Sequence, residues 1–464
     1  MHKPTEERPA SVPGTAPQAG DILSHWDWVE HAVWTDRMLT ALDEGVKGHV
    51  WFRLFDKVFS AMSLSKRQLA AAGAAVRSNL RAAYAKVARN DGAPGVDHIT
   101  AEEFGSQLDA NLKKLSEDLR TGTYRPQLIR RTEIPKPGTK EKRPLGIPTV
   151  RDRVVQAAVV HVIEPIFERE FAPRSYGFRP GLGCKDGLRR VNELLQNGYV
   201  YVVDADLKSY FDSIPHQPLL ARLRERIADG RVLTLIEQFL HAGILTDVGI
   251  IDPEAGAPQG AVLSPLLSNI YLNPLDHLLM AQGFAMVRYA DDFVILCRSG
   301  EEADRALAVV QAWTASAGLT LHPTKTRVVD AREDGFDFLG YHFKTVSDGR
   351  ILHFPRKKSL EKLKDAVRAK THRNNGHSLF VIIQDLNTTL RGWFHYFQHS
   401  HRTTFSEIDS WIQMRLRSVL RKRTGRRGRG RGSDHQKWKN EYFTKRGLFN
   451  LKASHKLAAQ SCHR

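Results

Sequence analysis

The sequence predicts an α+β protein, and three observations carry that expectation. Between about residues 101 and 354, helical patterns alternate with short runs rich in β-branched and aromatic residues. After Pro355 the β pattern stops and only helical periodicity follows. Charge segregates along the same line: residues 1–350 carry 43 basic and 44 acidic side chains, and residues 351–464 carry 26 and 7. The whole formal excess of +18 therefore belongs to the last quarter. Such a balance suits a polyanionic partner, nucleic acid first and an anionic membrane second.

Taken in order, residues 1–20 are rich in Pro, Ala and Gly and read as a disordered tail. Trp26, Trp28, Trp34 and Trp51, mixed with Leu, Val and Phe, predict a small helical segment, giving an N-terminal extension over 1–65. Residues 66–90 read as a basic amphipathic helix ended by the turn signal Asn90-Asp91-Gly92. Strands are expected at 199–203, 286–288 and 293–297, and in a hairpin of 336–345 with 350–354 around Asp348-Gly349. Helices are expected at 151–170, 231–242, 301–317, 357–371, 378–398 and 405–423. The run RKRTGRRGRGRG (421–432) is broken by glycines and is not expected to pack a core. It reads as a solvated tail or, given its place in the basic quarter, as a nucleic-acid contact.

Cys184, Cys297 and Cys462 lie far apart, so neither a disulfide framework nor a Cys-based zinc site is expected, and a reducing compartment is. The first twenty residues lack the apolar core of a secretory signal. The longest uncharged stretch, 257–275, holds three prolines, so no membrane span is expected there.

The sharpest local signal is Tyr289-Ala290-Asp291-Asp292 between the apolar runs AMVR and FVILC. Two strands joined by a tight turn would hold both carboxylates at the hairpin tip, where they repel unless a divalent cation neutralises them. Alone, the motif reads equally as an Asp-rich surface turn. In YVVDADLKSYFDSIPH (201–216), alternation puts Asp204 and Asp206 on one face near a strand end. Three carboxylates converging from neighbouring strands suit two-metal nucleotidyl transfer. Asp212 reads as a cap of the turn before Pro215.

With these residues in place, the chain resembles the bacterial group II intron reverse transcriptases and maturases of the endonuclease-lacking type. The segments that carry the resemblance run in order from about 90 to 451: NDGAPGVDHIT, IPKPGTKEKRPLGIPTVRDRVVQ, SYGFRP, DADLKSYFDSI, GAPQGAVLSPLLSNIYLNPLD, RYADDFVILC, LTLHPTKT, FDFLGYHF and LNTTLRGWFHYF. The resemblance implies a right-hand polymerase, with fingers and palm over 66–354, a helical thumb and maturase-specific domain over 355–425, and a basic nucleic-acid-binding segment over 426–464. It implies that Asp206 and Asp291 ligate two Mg²⁺ ions, with Mn²⁺ as the substitute, and that Asp292 completes the acidic set. Lys136 and Arg143 would hold the incoming triphosphate, and Gln259 and Gly260 would sit against nucleotide and template. Phe211 matches a steric gate beneath the sugar, although its residue type alone favours a core position. Lys325 matches a palm lysine near the triphosphate.

Phosphate contacts are assigned to Arg391, Arg402, Arg421, Lys422, Arg423, Arg426, Arg427, Arg429 and Arg431. The apolar stripe Leu390, Trp393, Phe394 and Phe397 reads as packing instead. The chain departs from the family pattern at Leu182, where arginine is frequent, and at Ala261, where a second glycine is common. No paired C-x-x-C follows the thumb, so target-strand cleavage by a zinc-type nuclease is not expected. The implied activity is RNA-templated DNA synthesis joined to folding of the parent intron RNA. The implied partners are that RNA, an RNA template with a DNA primer, target DNA, dNTPs and, left open, a second copy of the chain, in a bacterial cytoplasm near the nucleoid. Two other readings stay open: a reverse transcriptase of a retron, diversity-generating or phage-defence system, and a splicing cofactor with an inert polymerase.

Overall fold

The computed structural model describes residues 26–31, 33–44, 50–59, 78–135 and 142–461. Lys136, Cys462, the expected tail and the stretch 66–77 of the expected basic helix lie outside the described residues. Eleven strands occur among the described residues: β1 (Ile129–Pro135), β2 (Lys142–Ile147), β3 (Tyr201–Asp206), β4 (Ile244–Thr246), β5 (Gly249–Ile251), β6 (Ala285–Tyr289), β7 (Asp292–Cys297), β8 (Arg327–Asp330), β9 (Phe336–Phe338), β10 (Tyr341–Thr345) and β11 (Ile351–Pro355). The chain divides into two compact units that interleave in sequence. One holds Met1–Arg131, Gly146–Phe171 and Pro215–Ile270, and the other holds Thr132–Leu145, Ala172–Ile214 and Tyr271–Arg464.

The first unit is built on the helix Val150–Glu168, whose buried residues run almost the whole way round. A helix buried on nearly every face has to be the centre of a core. Thr149 caps it by accepting a hydrogen bond from the Asp152 N–H. Asn79, itself buried, donates to the carbonyls of Lys57 and Ala158, which fixes the helix Asn79–Arg89 against this centre. The expected N-terminal tryptophans belong to the same packing: Trp34 is fully buried, donates to the His161 carbonyl at 3.1 Å and meets Trp51 edge-on. A small sheet joins β1 to β4 in parallel through Ile129 and Arg130, and β4 turns back into β5.

The second unit carries an antiparallel sheet in the order β6-β7-β3-β8 and a three-stranded sheet in the order β11-β10-β9. The single strand expected over 336–345 is broken in two at Leu339 and Gly340, both at positive φ. Helical structure follows as Lys357–Lys370, Leu379–Phe397 and Arg402–Arg423. Their core includes Leu363, Ile383, Leu390, Phe405 and Ile412, with Trp393 and Phe394 packed at its edge.

The basic C-terminal segment contributes to the core in a way the sequence did not announce. The arginine run itself is exposed, but residues after 432 fold back as short helices and insert Trp438, Phe443, Leu448 and Leu451 into that same core. Arg421 is tied to buried Asp434 and donates to the Arg427 carbonyl, so the run also begins as part of the fold. Four apolar residues spaced widely among charges gave too weak a periodicity to announce this packing. Among the described residues no helix is long and apolar enough to cross a membrane.

Candidate active site

The hairpin β6–β7 is buried almost throughout because its strands, AMVRY and DFVILC, are apolar on both faces. Tyr289 pairs with Asp292, leaving Ala290-Asp291 as a two-residue connection. Ala290 sits at φ +59°, a region that costs a non-glycine residue energy and persists only where neighbours enforce it. The enforcement is visible. Arg288, fully buried, donates to the Ala290 carbonyl at 2.8 Å and makes a bidentate pair with fully buried Asp276 on the helix Ser264–Ala281. The Tyr176 N–H donates to the Arg288 carbonyl, and the Arg288 N–H donates to that of Arg174. A Cβ on Gly177 would meet the Ala290 nitrogen at 2.3 Å, so SYGFRP needs glycine there to lie against the hairpin tip.

β3 pairs antiparallel with β7, and Asp206 lies directly opposite Asp292. Directly opposed residues share a face, and Asp204, two residues back, is on it too. The structure therefore brings Asp204, Asp206 and Asp292 together beside Asp291 at the turn. Burial pushes the Asp292 carboxyl up to about 7, with the charges of Asp204 and Asp291 adding to it. Asp204 is raised to about 6, first by burial, against the Arg327 guanidinium 3.7 Å away. Asp291 is raised by burial and by Asp206, while the charge of exposed Arg143 on β2 acts in the opposite sense.

Carboxyls that are buried together and also repel one another are a hard-oxygen donor set, and their chemistry fits a divalent cation. The Lys325 ammonium sits 2.7 Å from Asp206 Oδ2, and no group of three or more His, Cys, Asp or Glu among the described residues stands in metal-ligand arrangement. Lys325 and Phe211 both reach this neighbourhood. Phe211 is half-buried rather than core, and the adjacent Tyr210 is the buried ring. The Phe211 ring meets Phe178 edge-on at 6.4 Å, and Phe178 in turn meets Tyr289 at 6.4 Å. Phe178 and Ser209, like Ala290, have positive φ. Three of the seven such non-glycine residues described thus cluster here, the pattern expected of a functional site.

In the first unit, the Gln259 carbonyl accepts a hydrogen bond from the Gly146 N–H at 2.7 Å, and Gly260 has φ +111°. The turn they form is held by Gln156, which accepts from the Val262 N–H, and by Ser264, which donates to the Pro258 carbonyl. On the helical region, Arg402, Lys422, Arg426, Arg427, Arg429 and Arg431 stand at or near the surface. Arg391 lies over Phe449 with its guanidinium 4.9 Å from the ring centre, and Arg423 donates to the His377 carbonyl.

Sequence reasoning missed Arg288 with Asp276, and also Phe178. An arginine interrupting an otherwise apolar strand was the available signal for the first. The glycine beside Phe178 was a weaker one.

A carboxylate-tipped hairpin paired to a carboxylate-ended strand in an antiparallel sheet defines a polymerase-type palm. Residues 134–343 match the family described as reverse transcriptase (RNA-dependent DNA polymerase), and residues 360–440 match the group II intron, maturase-specific domain. The chain is 35% identical over 291 residues to Protein YkfC of Escherichia coli (strain K12), covering 53% of this chain and 75% of that protein. It is 39% identical over 196 residues to the Group II intron-encoded protein LtrA of Lactococcus lactis subsp. cremoris, covering 42% of this chain and 32% of LtrA. Among solved structures, a partial Cas6-RT-Cas1–Cas2 complex shares 26% identity over 51% of this chain and 40% of that one, with a TM-score of 0.32. The chain belongs to the group II intron reverse transcriptase and maturase family, whose reverse transcriptase domain is a metal-dependent nucleotidyltransferase. It spans about a third of the length of LtrA.

Proposed function

We propose that this chain is an RNA-directed DNA polymerase that also binds its parent intron RNA and promotes its splicing and mobility. One observation carries the reading: Asp206 and Asp292 oppose each other on two paired strands, with Asp291 in the adjoining turn, in a chain that joins a reverse transcriptase domain to a maturase-specific domain. Asp206 and Asp291 would hold two Mg²⁺ ions, with Asp292 beside them. When bound, those ions offset the charge that builds up between a primer 3′-oxygen and the dNTP α-phosphate. Lys325, paired with Asp206, would offer its ammonium to the phosphates, where a cation stabilises the charge of the departing pyrophosphate. Arg143 and Lys136 supply further positive charge to the triphosphate. Phe211, packed against Phe178, would act as the gate that turns away a sugar 2′-hydroxyl. The arginines of the 426–431 run, with Arg402 and Lys422, supply the intron RNA contacts.

The test is primer extension on an RNA template with Mg²⁺. The wild-type chain is expected to extend the primer, and folded Asp291→Ala is expected to fall by several orders of magnitude while keeping its RNA affinity. Extension by Asp291→Ala near the wild-type rate would remove the assignment.

A further inference from the structure

Away from the carboxylates, the second unit contains a cavity of about 360 Å³, within the range of roughly 300–1,000 Å³ usual for ligand pockets. It lies between the helix Cys184–Gln196, the β10–β11 hairpin and the end of the helix Leu379–Phe397. Buried Tyr341 and Phe343 and half-buried Tyr396 give it aromatic walls. These rings are held in place: the Tyr341 hydroxyl donates to the Tyr396 carbonyl at 2.7 Å, and the Tyr396 hydroxyl donates to the Leu339 carbonyl at 2.6 Å.

The polar side of the cavity is almost wholly basic. Lys185 and Arg189 stand four residues apart, hence on one face of their helix. Arg189 has Asp186 at 3.1 Å, whereas the Lys185 ammonium faces His395 Nε2 at 3.3 Å. His399 and His353 line the same wall, and both titrate below the usual imidazole range. Burial is the main cause; Lys185, His455 and Arg189 add to it for His399, while for His353 a hydrogen bond with the His399 backbone works against it. His353 also shares a 3.0 Å hydrogen bond with the Asn192 amide. Fixed aromatic faces beside two cations and an amide match a flat, hydrogen-bonding ring that carries an anion.

We propose that this cavity binds a nucleoside monophosphate unit, its base against Tyr341 and Tyr396 and its phosphate on Lys185 and Arg189. That unit is either an unpaired nucleotide of a nucleic-acid strand or a free nucleotide. The two sources share this chemistry, and the experiment separates them. The proposal does not rest on the polymerase reading, because none of these residues belongs to the carboxylate cluster.

The full chain is mixed with a single-stranded oligouridylate containing 4-thiouridine, irradiated and peptide-mapped, with and without excess UMP. Binding is measured in parallel at several salt concentrations. Crosslinks are expected on the peptides carrying Tyr341 or Tyr396. Lys185→Gln with Arg189→Gln is expected to weaken strand binding about three- to tenfold and to flatten the salt slope by roughly 0.7 for each phosphate no longer neutralised. Tyr396→Leu should lose the crosslink and Tyr396→Phe should keep it, which separates stacking from a general loss of structure. Crosslinking of free 4-thio-UMP to these peptides without a strand crosslink would assign the site to a free nucleotide. Crosslinks confined to other peptides, no protection by UMP, and an unchanged slope in the double variant would overturn the proposal. Asp291→Ala, run alongside, should bind as wild type does whether or not the polymerase reading stands.

Discussion

Phe211 shows how a residue-level reading can turn on a single ring. Its type and place beside an apolar strand favour burial, yet Tyr210 takes the buried position and Phe211 is left half-exposed against Phe178. A ring so placed can exclude a hydroxyl. Phe211→Val is expected to raise the rNTP/dNTP ratio of kcat/KM by about tenfold, the ratio that ~1.4 kcal/mol of relieved clash supplies. An unchanged ratio in a folded variant would return Phe211 to a packing role. The acidic residues were legible because chemistry placed them: carboxylates crowd together only where something offsets their charge. Arg288 and Asp276 were not legible, because a bidentate pair depends on a strand and a distant helix turn meeting in space. Local sequence carries no trace of that meeting.

At the scale of elements, the helices expected at 151–170, 231–242, 301–317, 357–371, 378–398 and 405–423 and the central hairpin were read within a few residues, whereas Leu108–Thr121, Cys184–Gln196 and Ser264–Ala281 were given no bounds. β1, β2, β4, β5 and β8 were not anticipated; β4, β5 and β8, at three or four residues each, carry no period, and β1 and β2 (IRRTEIP and KRPLGI) are too charged and too broken by proline and glycine to show an apolar alternation. The helix Val150–Glu168 illustrates what burial does inside an element that was anticipated. Burial raises Glu164 to about 7, with Lys86 opposing and Glu168 reinforcing the rise. A carboxyl whose folded value lies above its unfolded one favours the fold below about pH 4.5 and loses that advantage as pH rises through about 7. Glu164→Gln should therefore stabilise the chain at pH 8 by about 1–2 kcal/mol and change little at pH 5. Urea midpoints of both proteins at the two pH values check this. An equal gain at both would mean that the carboxyl ionises as freely in the fold as out of it.

For the whole molecule, charge and chemistry part company along the sequence. The carboxylates sit in a nearly neutral stretch, while the excess positive charge sits after residue 350. The arginines of the 426–431 run can therefore be altered without touching the palm. Replacing Arg426, Arg427, Arg429 and Arg431 with Ala should weaken intron RNA binding and reduce its salt slope by about 0.7–0.9 for each phosphate left unneutralised. Turnover on a saturating short primer–template should hold. An unchanged slope would leave the run as a solvated turn. Arg421 is excluded from the set because its loss would unseat Asp434 and disturb the fold itself.

The interleaving of the two units bears on how the protein is made. The chain passes between them five times, and the first unit's last segment ends at Ile270, with 194 residues still to be added before Arg464. At about 5–20 residues per second, every residue of that unit exists roughly 10–40 s before synthesis reaches Arg464. The second unit must wait for the helices that close its core, Trp438 and Phe443 among them. A ribosome paused between those points would carry every residue of the first unit and a second unit still lacking part of its packing. Codon choice over 271–464 thus becomes a lever on yield, independent of any change in the protein itself.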